Sequence, residues 1–236
     1  STLSALNIGV FTGNRAEYGL LRPLIEAIAA APDMTLRLFV GGALLNEKYG
    51  RNLEQIEAGG VEITAQIDIP EPGSNGVSTA GAIARAITEC EEAFLGQNLD
   101  GIFVYADRYE GFAAVIAASH SNIPVLHIEG GDITEGGAFD DNVRHSMTKL
   151  SHLHFPSNGM ATDILKEMGE EEWRILNVGL LPFANLDFSG QLDPETLQME
   201  LGFELSEKIV LFTLHSISSS VDQTKSEAQA SFKALR

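Results

Sequence analysis

Within residues 99–150, ionisable side chains follow apolar runs at a spacing that suits proton transfer. Asp107 and Arg108 come directly after the run 101–105 (GIFVY) and its following alanine, Glu129 comes after 124–128 (PVLHI), and Asp140, Arg144 and His145 lie a short distance further on. Acids mixed with cations can take a proton from an anionic substrate and balance its charge. The same residues also have a purely structural reading. Asp140 would then be a helix N-cap with Arg144 its i,i+4 partner, and Glu129 a loop acid satisfied by nearby N–H groups.

A second stretch, Thr12-Gly13-Asn14-Arg15, separates an apolar run from a helical periodicity. Backbone N–H groups and the helix dipole at such a turn can receive phosphate. The turn is neither a GxGxxG fingerprint nor a Walker-type loop, so an ordinary βα turn is the alternative. His152 and His154 have the spacing that puts two residues on one face of a strand, which is half of a metal site, but no Cys or carboxylate set at suitable spacing completes it. His120 and His127 read as core-edge residues. His215 follows an apolar run and precedes Ser-rich SISSS, again on the ligand side of a sheet, with a surface histidine as the plain alternative.

These side chains must be held by something, and the composition says what kind of body that is. The chain has 236 residues, 44% hydrophobic and 20% charged, which reads as a globular protein with ample core. Asp and Glu number 33 against 15 Lys and Arg, a net charge of −18, which argues against nucleic acid or an anionic membrane surface as partner. An anionic ligand therefore needs a local cationic patch. A single cysteine, Cys90, excludes a disulfide framework and predicts a reducing, cytoplasmic setting. The sequence contains neither a signal peptide nor an apolar run of transmembrane length, and Ser1 in place of Met suggests processing or an expression scar.

Periodicity predicts strands at 5–11, 34–40, 61–69, 101–105, 124–128, 152–155 and 175–178, and helices at 17–31, 52–58, 78–95, 111–119, 140–150 and 158–168. This βα alternation predicts an α/β fold, a Rossmann-like doubly wound parallel sheet whose carboxyl edge holds the ligand. Residues 179–193 are rich in Pro, Gly and Asn and show no period. The reading is therefore a first domain over 1–180, a linker over 181–193 and, over 194–236, the start of an incomplete second domain with helices at 194–201 and 221–236 and a buried strand at 208–214.

The blocks TGNRAEYGLLRPL, ADRYEGFAAVIAASHSNIPVLHIEGGD, FDDNVRHSMTKLSHLHF and TLHS, in this order, resemble the UDP-N-acetylglucosamine 2-epimerase family. Within it they are most similar to the hydrolysing branch that feeds sialic and related nonulosonic acid synthesis. The resemblance implies the N-terminal half of a two-domain glycosyltransferase-B-like fold, a UDP-sugar bound between two Rossmann-like halves, and no nicotinamide, flavin or obligatory metal. The assembly it implies is a homodimer or homotetramer.

By motif, Asp107, Glu129, Asp140 and His215 match the family's catalytic positions. Arg15 matches the arginine near the diphosphate, and Arg108, Arg144, His145, Gly179 and Ser216 fall at positions lining the substrate cleft. Some positions depart from the family pattern. Ala106 stands where Gly is usual, Ser216 where Pro follows the histidine, and VGLLPFA has Leu181 for Pro and Ala184 for Asp.

The implied reaction cleaves the anomeric C–O bond, expels UDP, removes the C2 proton to give a 2-acetamidoglucal, and adds water with C2 inverted. Arg15 and His215 would serve the leaving diphosphate, while Asp107, Glu129 and Asp140 divide the base and the carboxylates near the cation-like sugar. The alternatives are a non-hydrolysing UDP-sugar 2-epimerase, a glycosyltransferase of the same fold and a non-catalytic nucleotide-sugar-binding fragment.

Overall fold

The computed structural model describes residues 4–49, 52–73, 76–134, 139–185, 190–205, 208–214 and 221–235. Six strands, β1 (Leu6–Thr12), β2 (Met34–Gly41), β3 (Ile63–Ile67), β4 (Gly101–Tyr105), β5 (Val125–Ile128) and β6 (Leu153–Phe155), form one sheet in the order β3-β2-β1-β4-β5-β6. Every pairing is parallel. The order reverses between β1 and β4, which places the ligand-accepting crevice of a doubly wound sheet at the exits of these two strands. The expected Rossmann-like architecture is borne out.

The apolar runs become strands because both faces of the sheet are covered. On one face Ile8, Val10, Leu38 and Val40 pack against Leu21, Ile25 and Ile28 of helix α1 (Arg15–Ala30) and Ile56 of α2 (Asn52–Ala58). On the other, Phe11, Phe39, Ile102 and Val104 meet α3 (Thr79–Phe94), α4 (Tyr109–His120) and Met147 of α5 (Phe139–Leu150). In α4 the contact residues are small, Ala113, Ala114, Ala117 and Ala118, so helix and sheet approach closely. Cys90 of α3 lies in this layer with no exposed surface, and burial pushes its thiol up to about 12.

Side-chain caps start the helices as the sequence suggests. Asn14 accepts from the Glu17 N–H at α1, Ser78 from Gly81 at α3, and Asn158 from Ala161 at α6 (Gly159–Glu167). Pro23 lies inside α1 and removes one intrahelical donor without ending the helix.

Several expectations are corrected. Residues 175–178 do not form a seventh strand. An isolated bridge joins Ile175 to His154, and Leu176 N–H donates to His154 O at 2.9 Å and Val178 N–H to Pro156 O at 3.1 Å, so the run lies beside β6 without becoming a regular strand before Gly179 at φ +74°. The aperiodic stretch after it carries a 3₁₀ turn, Leu181–Asn185, whose Leu181 packs with the α1-side core.

By its contacts the chain divides into Ser1–Leu186 and Asp187–Arg236. In the second unit Asp193 caps α7 (Pro194–Leu201) by accepting from the Glu195 and Thr196 N–H groups, and Gly202 closes it in the left-handed conformation. Helix α8 (Val221–Ala234) brings Phe232 against Phe212, 5.6 Å between ring centroids. Residues 208–214 are not in a strand, contrary to the pattern. A parallel strand exists only beside another, and among the described residues none pairs with this run, whose Val210 and Leu211 are exposed. No described helix is long and apolar enough to cross a membrane.

Candidate active site

Strands β4 and β5 end in register, Tyr105 opposite Ile128, and the next residue of each turns sharply. Ala106 has φ +52° and Glu129 φ +58°, both in the left-handed region that non-glycine residues avoid. The strand hydrogen bonding nevertheless continues through them, since Ala106 N–H donates to Ile128 O at 2.9 Å and Glu129 N–H to Phe155 O at 3.0 Å. This reversal redirects the chain beyond the sheet, with Asp107 following the first turn and Glu129 itself forming the second. Ala106, where the resemblance leads one to expect Gly, thus stands at positive φ.

Arg144 gathers the acids. It pairs with Asp107, donates to Asp141 Oδ1 at 3.0 Å and to the Asp132 carbonyl at 2.7 Å, and is buried. Burial raises the Asp107 carboxyl above its ordinary value, and Arg144 opposes the rise without cancelling it. Glu129 is raised as well, first by burial, with the neighbouring Tyr105 hydroxyl opposing. Its Oε1 is buried and has no hydrogen-bond partner among the described residues. Two carboxyls raised by burial at adjacent strand ends are suited to accept and return protons.

His127 braces the Ala106 turn from within and ties it to α5. A carbonyl can only accept, so Nε2 carries the proton that meets Ala106 O at 2.8 Å, leaving Nδ1 to accept from the Thr148 hydroxyl at 3.2 Å. Burial lowers this imidazole to about 4 and keeps it neutral. It is fully buried rather than at the core edge, while His120 is exposed at the end of α4 and bonds to Ile116 O.

The other sequence candidates are distributed as follows. Asp140 is exposed in the first turn of α5 and its charge acts on Asp107, but it is not the partner of Arg144; Asp141, one turn before the arginine, takes that place and also accepts the Thr134 N–H at 2.9 Å. Arg108 turns away from the acids. It grips Glu110 with two bonds, at 3.1 and 3.0 Å, beside a cavity of about 580 Å³ at the exits of β2, β3 and β4.

His145 lines a groove between α4 and α5 with Phe112 and Ile116. Arg15 is exposed at the first position of α1, and Gly179 is half-buried. His215 and Ser216 lie outside the described residues. His152 accepts the Val125 N–H at 3.1 Å and His154 pairs with buried Glu170 at 3.0 Å, so their rings serve different partners. Among the described residues no cluster of His, Cys, Asp or Glu has the form of a metal site.

Sequence reasoning passed over Asp141 and Tyr105 as site residues and a buried pair, Glu17 and Glu110, and read His127 only as a core-edge residue. Glu17 was detectable, because Asn14-Arg15-Ala16-Glu17 is a capping-box spacing. Nothing local marks the others.

Comparison with known proteins bears on this geometry. A 31% identical protein of Campylobacter jejuni, named GDP/UDP-N,N'-diacetylbacillosamine 2-epimerase (hydrolyzing), aligns over 99% of this chain and 60% of its own length. A 32% identical UDP-N,N'-diacetylbacillosamine 2-epimerase (hydrolyzing) of Legionella pneumophila aligns over 94% and 59%. The chain thus spans about 60% of the length of these relatives. The crystal structure of the Neisseria meningitidis UDP-GlcNAc 2-epimerase bound to UDP-GlcNAc shares the fold, with TM-score 0.66 at 16% identity over 98% of this chain and 55% of that one. The family model for UDP-N-acetylglucosamine 2-epimerase matches residues 26–236, and the chain belongs to that family.

Proposed function

We propose that this chain carries the proton-transfer half of a hydrolysing 2-epimerase acting on a UDP-linked 2-acetamido sugar. The observation that carries the reading is the pair Asp107 and Glu129, two carboxyls raised by burial at adjacent strand ends, with buried Arg144 beside the first. The names of the 31% and 32% identical relatives support the hydrolysing branch.

In this reading the anomeric C1–O bond breaks and its electron pair leaves with UDP. A carboxylate takes the C2 proton, C1=C2 forms, and water then adds its hydroxyl to C1 while a proton returns to C2 from the opposite face. Glu129, with its unpaired Oε1, and Asp107, tied to Arg144, divide base and electrostatic roles with Asp140. Arg15, at the start of α1, binds the diphosphate together with the helix terminus. His215 donates a proton or hydrogen bond to the leaving group, and Arg108, His145, Gly179 and Ser216 line the cleft. In this reading residues 1–180 form the first domain, 181–193 a linker and 194–236 part of a second, in a homodimeric or homotetrameric, cytoplasmic enzyme.

The test is incubation of full-length protein with UDP-N-acetylglucosamine and, separately, UDP-N,N'-diacetylbacillosamine in deuterated water. Proton NMR should show free UDP and a C2-inverted sugar bearing deuterium at C2. Retention of UDP on the product would assign the non-hydrolysing reaction, and turnover that requires an added sugar acceptor would assign a glycosyltransferase.

A further inference from the structure

The turn between β1 and α1 is held by an acid that the proposed chemistry does not use. Glu17 is 4% exposed. Its Oε1 accepts the Gly13 N–H at 3.1 Å and its Oε2 the Asn14 amide at 3.3 Å, while its own N–H donates to Asn14 Oδ1 at 3.0 Å. Glu17 and Asn14 therefore hold each other and the peptide between them in one reciprocal clamp.

Packing fixes the clamp from outside. A Cβ on Gly13 would stand 2.9 Å from Glu110 Cβ, and one on Gly42, at φ +57°, would stand 2.9 Å from Gly13 O. Only glycine admits this approach of three strand exits.

We propose that Glu17 is a positioning residue for diphosphate binding, fixing the shape of the turn at 13–15 from which Arg15 is presented. The inference rests on the function proposed above. Because the Gly13 N–H is committed to Glu17, the turn is shaped before any anion arrives, and the ligand need not order it.

The clamp also gives the site a pH response. Burial, with a smaller contribution from Glu110, raises Glu17 to about 8 against the opposing Gly13 N–H. The ionisable groups facing it are Glu110 and Arg108, at and before the start of α4, and Tyr105 of β4. Arg108 is already held by Glu110 through two bonds. Loss of the Glu17 proton therefore puts a negative charge, offset only in small part by Arg108, at the N-terminus of α1, where an anion is to bind.

Calorimetric titration of UDP into full-length protein from pH 7 to 9.5 tests this. Wild type should lose about tenfold in affinity as pH rises through 8, whereas Glu17→Gln, which retains the Gly13 bond but cannot ionise, should stay within about threefold of its pH 7 affinity. Glu17→Ala should bind about tenfold more weakly throughout. The inference is overturned if Glu17→Gln follows the wild-type pH profile, or if folded Glu17→Ala matches wild type at pH 7. Should the alanine variant not fold, the glutamine profile alone decides. Wild type that binds no UDP at any pH would instead bring down the functional reading, and this inference with it.

Discussion

Ala106 and Glu129 each stand one residue past Tyr105 and Ile128, the last register pair of neighbouring strands, and both adopt positive φ, +52° and +58°. Left-handed geometry costs an L-residue about 1–2 kcal/mol, whereas glycine adopts it freely at the expense of about 0.5–1 kcal/mol of unfolded-state entropy. Ala106→Gly is therefore expected to leave stability unchanged or raise it by up to about 1 kcal/mol. Ala106→Val, β-branched at a positive φ, should lose at least about 2 kcal/mol. Denaturant unfolding of the two variants checks the pair.

Glu129→Gln and Asp107→Asn should each lower turnover at least about a hundredfold, the lower range for removing an acid or base. Their stabilities should diverge. Glu129 has no cationic partner among its hydrogen bonds, so its amide should melt at or above the wild-type temperature, while Asp107→Asn weakens the pair with Arg144 and should melt lower. Turnover near wild type in both would end the proton-transfer assignment.

Arg144→Ala leaves Asp107, Asp141 and the Asp132 carbonyl without their shared donor and should cost about 3 kcal/mol or more. Because the removed cation also sets the environment of Asp107, the double variant with Asp107→Asn should be clearly less destabilised than the sum of the two singles. A double-mutant cycle by thermal melting measures the difference.

Arg15→Ala should leave the melting temperature unchanged, because Arg15 is exposed. UDP binding should weaken by about 1.5–3 kcal/mol, the usual value of a charge-assisted contact. Equal UDP affinities by calorimetry would remove Arg15 from the diphosphate site.

Glu17 also makes stability depend on pH. Its folded value of about 8 stands above the ordinary 4.5, so between these limits the folded chain keeps a proton that the unfolded chain releases. Its contribution is therefore fullest below pH 4.5 and is lost as pH rises to about 8. Relative to Glu17→Gln, wild type should lose up to about 1.4 kcal/mol per pH unit across this window, and melts at pH 5, 6.5 and 8 should show the gap widening.

Much of the sheet could be read from the sequence because parallel strands buried on both faces are short apolar runs, and because Asn14, Ser78 and Asn158 mark helix starts by a local bond. The two misread strands, 175–178 and 208–214, are also apolar, but a regular strand needs a neighbour paired along its length: 175–178 makes one bridge and two backbone bonds beside β6, 208–214 has no described strand beside it, and neither outcome is written locally. The same limit applies at the site. Asp107 and Glu129 could be found from their places after strands, whereas the choice of Asp141 over Asp140 by Arg144 goes with the bond that Asp141 accepts from the Thr134 N–H, seven residues away in sequence. His127 looked peripheral because its two partners, Ala106 and Thr148, are each 21 residues away in sequence.

The sole cysteine offers a clock for this protein. Cys90 is sealed between α3 and the sheet, and only the thiolate attacks a labelling reagent. With the thiol at about 12, labelling in the closed state is doubly suppressed, by access and by protonation. When labelling outpaces reclosing, the rate at which a small disulfide reagent is consumed should measure how often the α3 layer lifts from the sheet. Ligands that tighten the first unit would slow that clock, so affinity could be followed through a native atom far from the carboxyl edge, without turnover or an introduced probe.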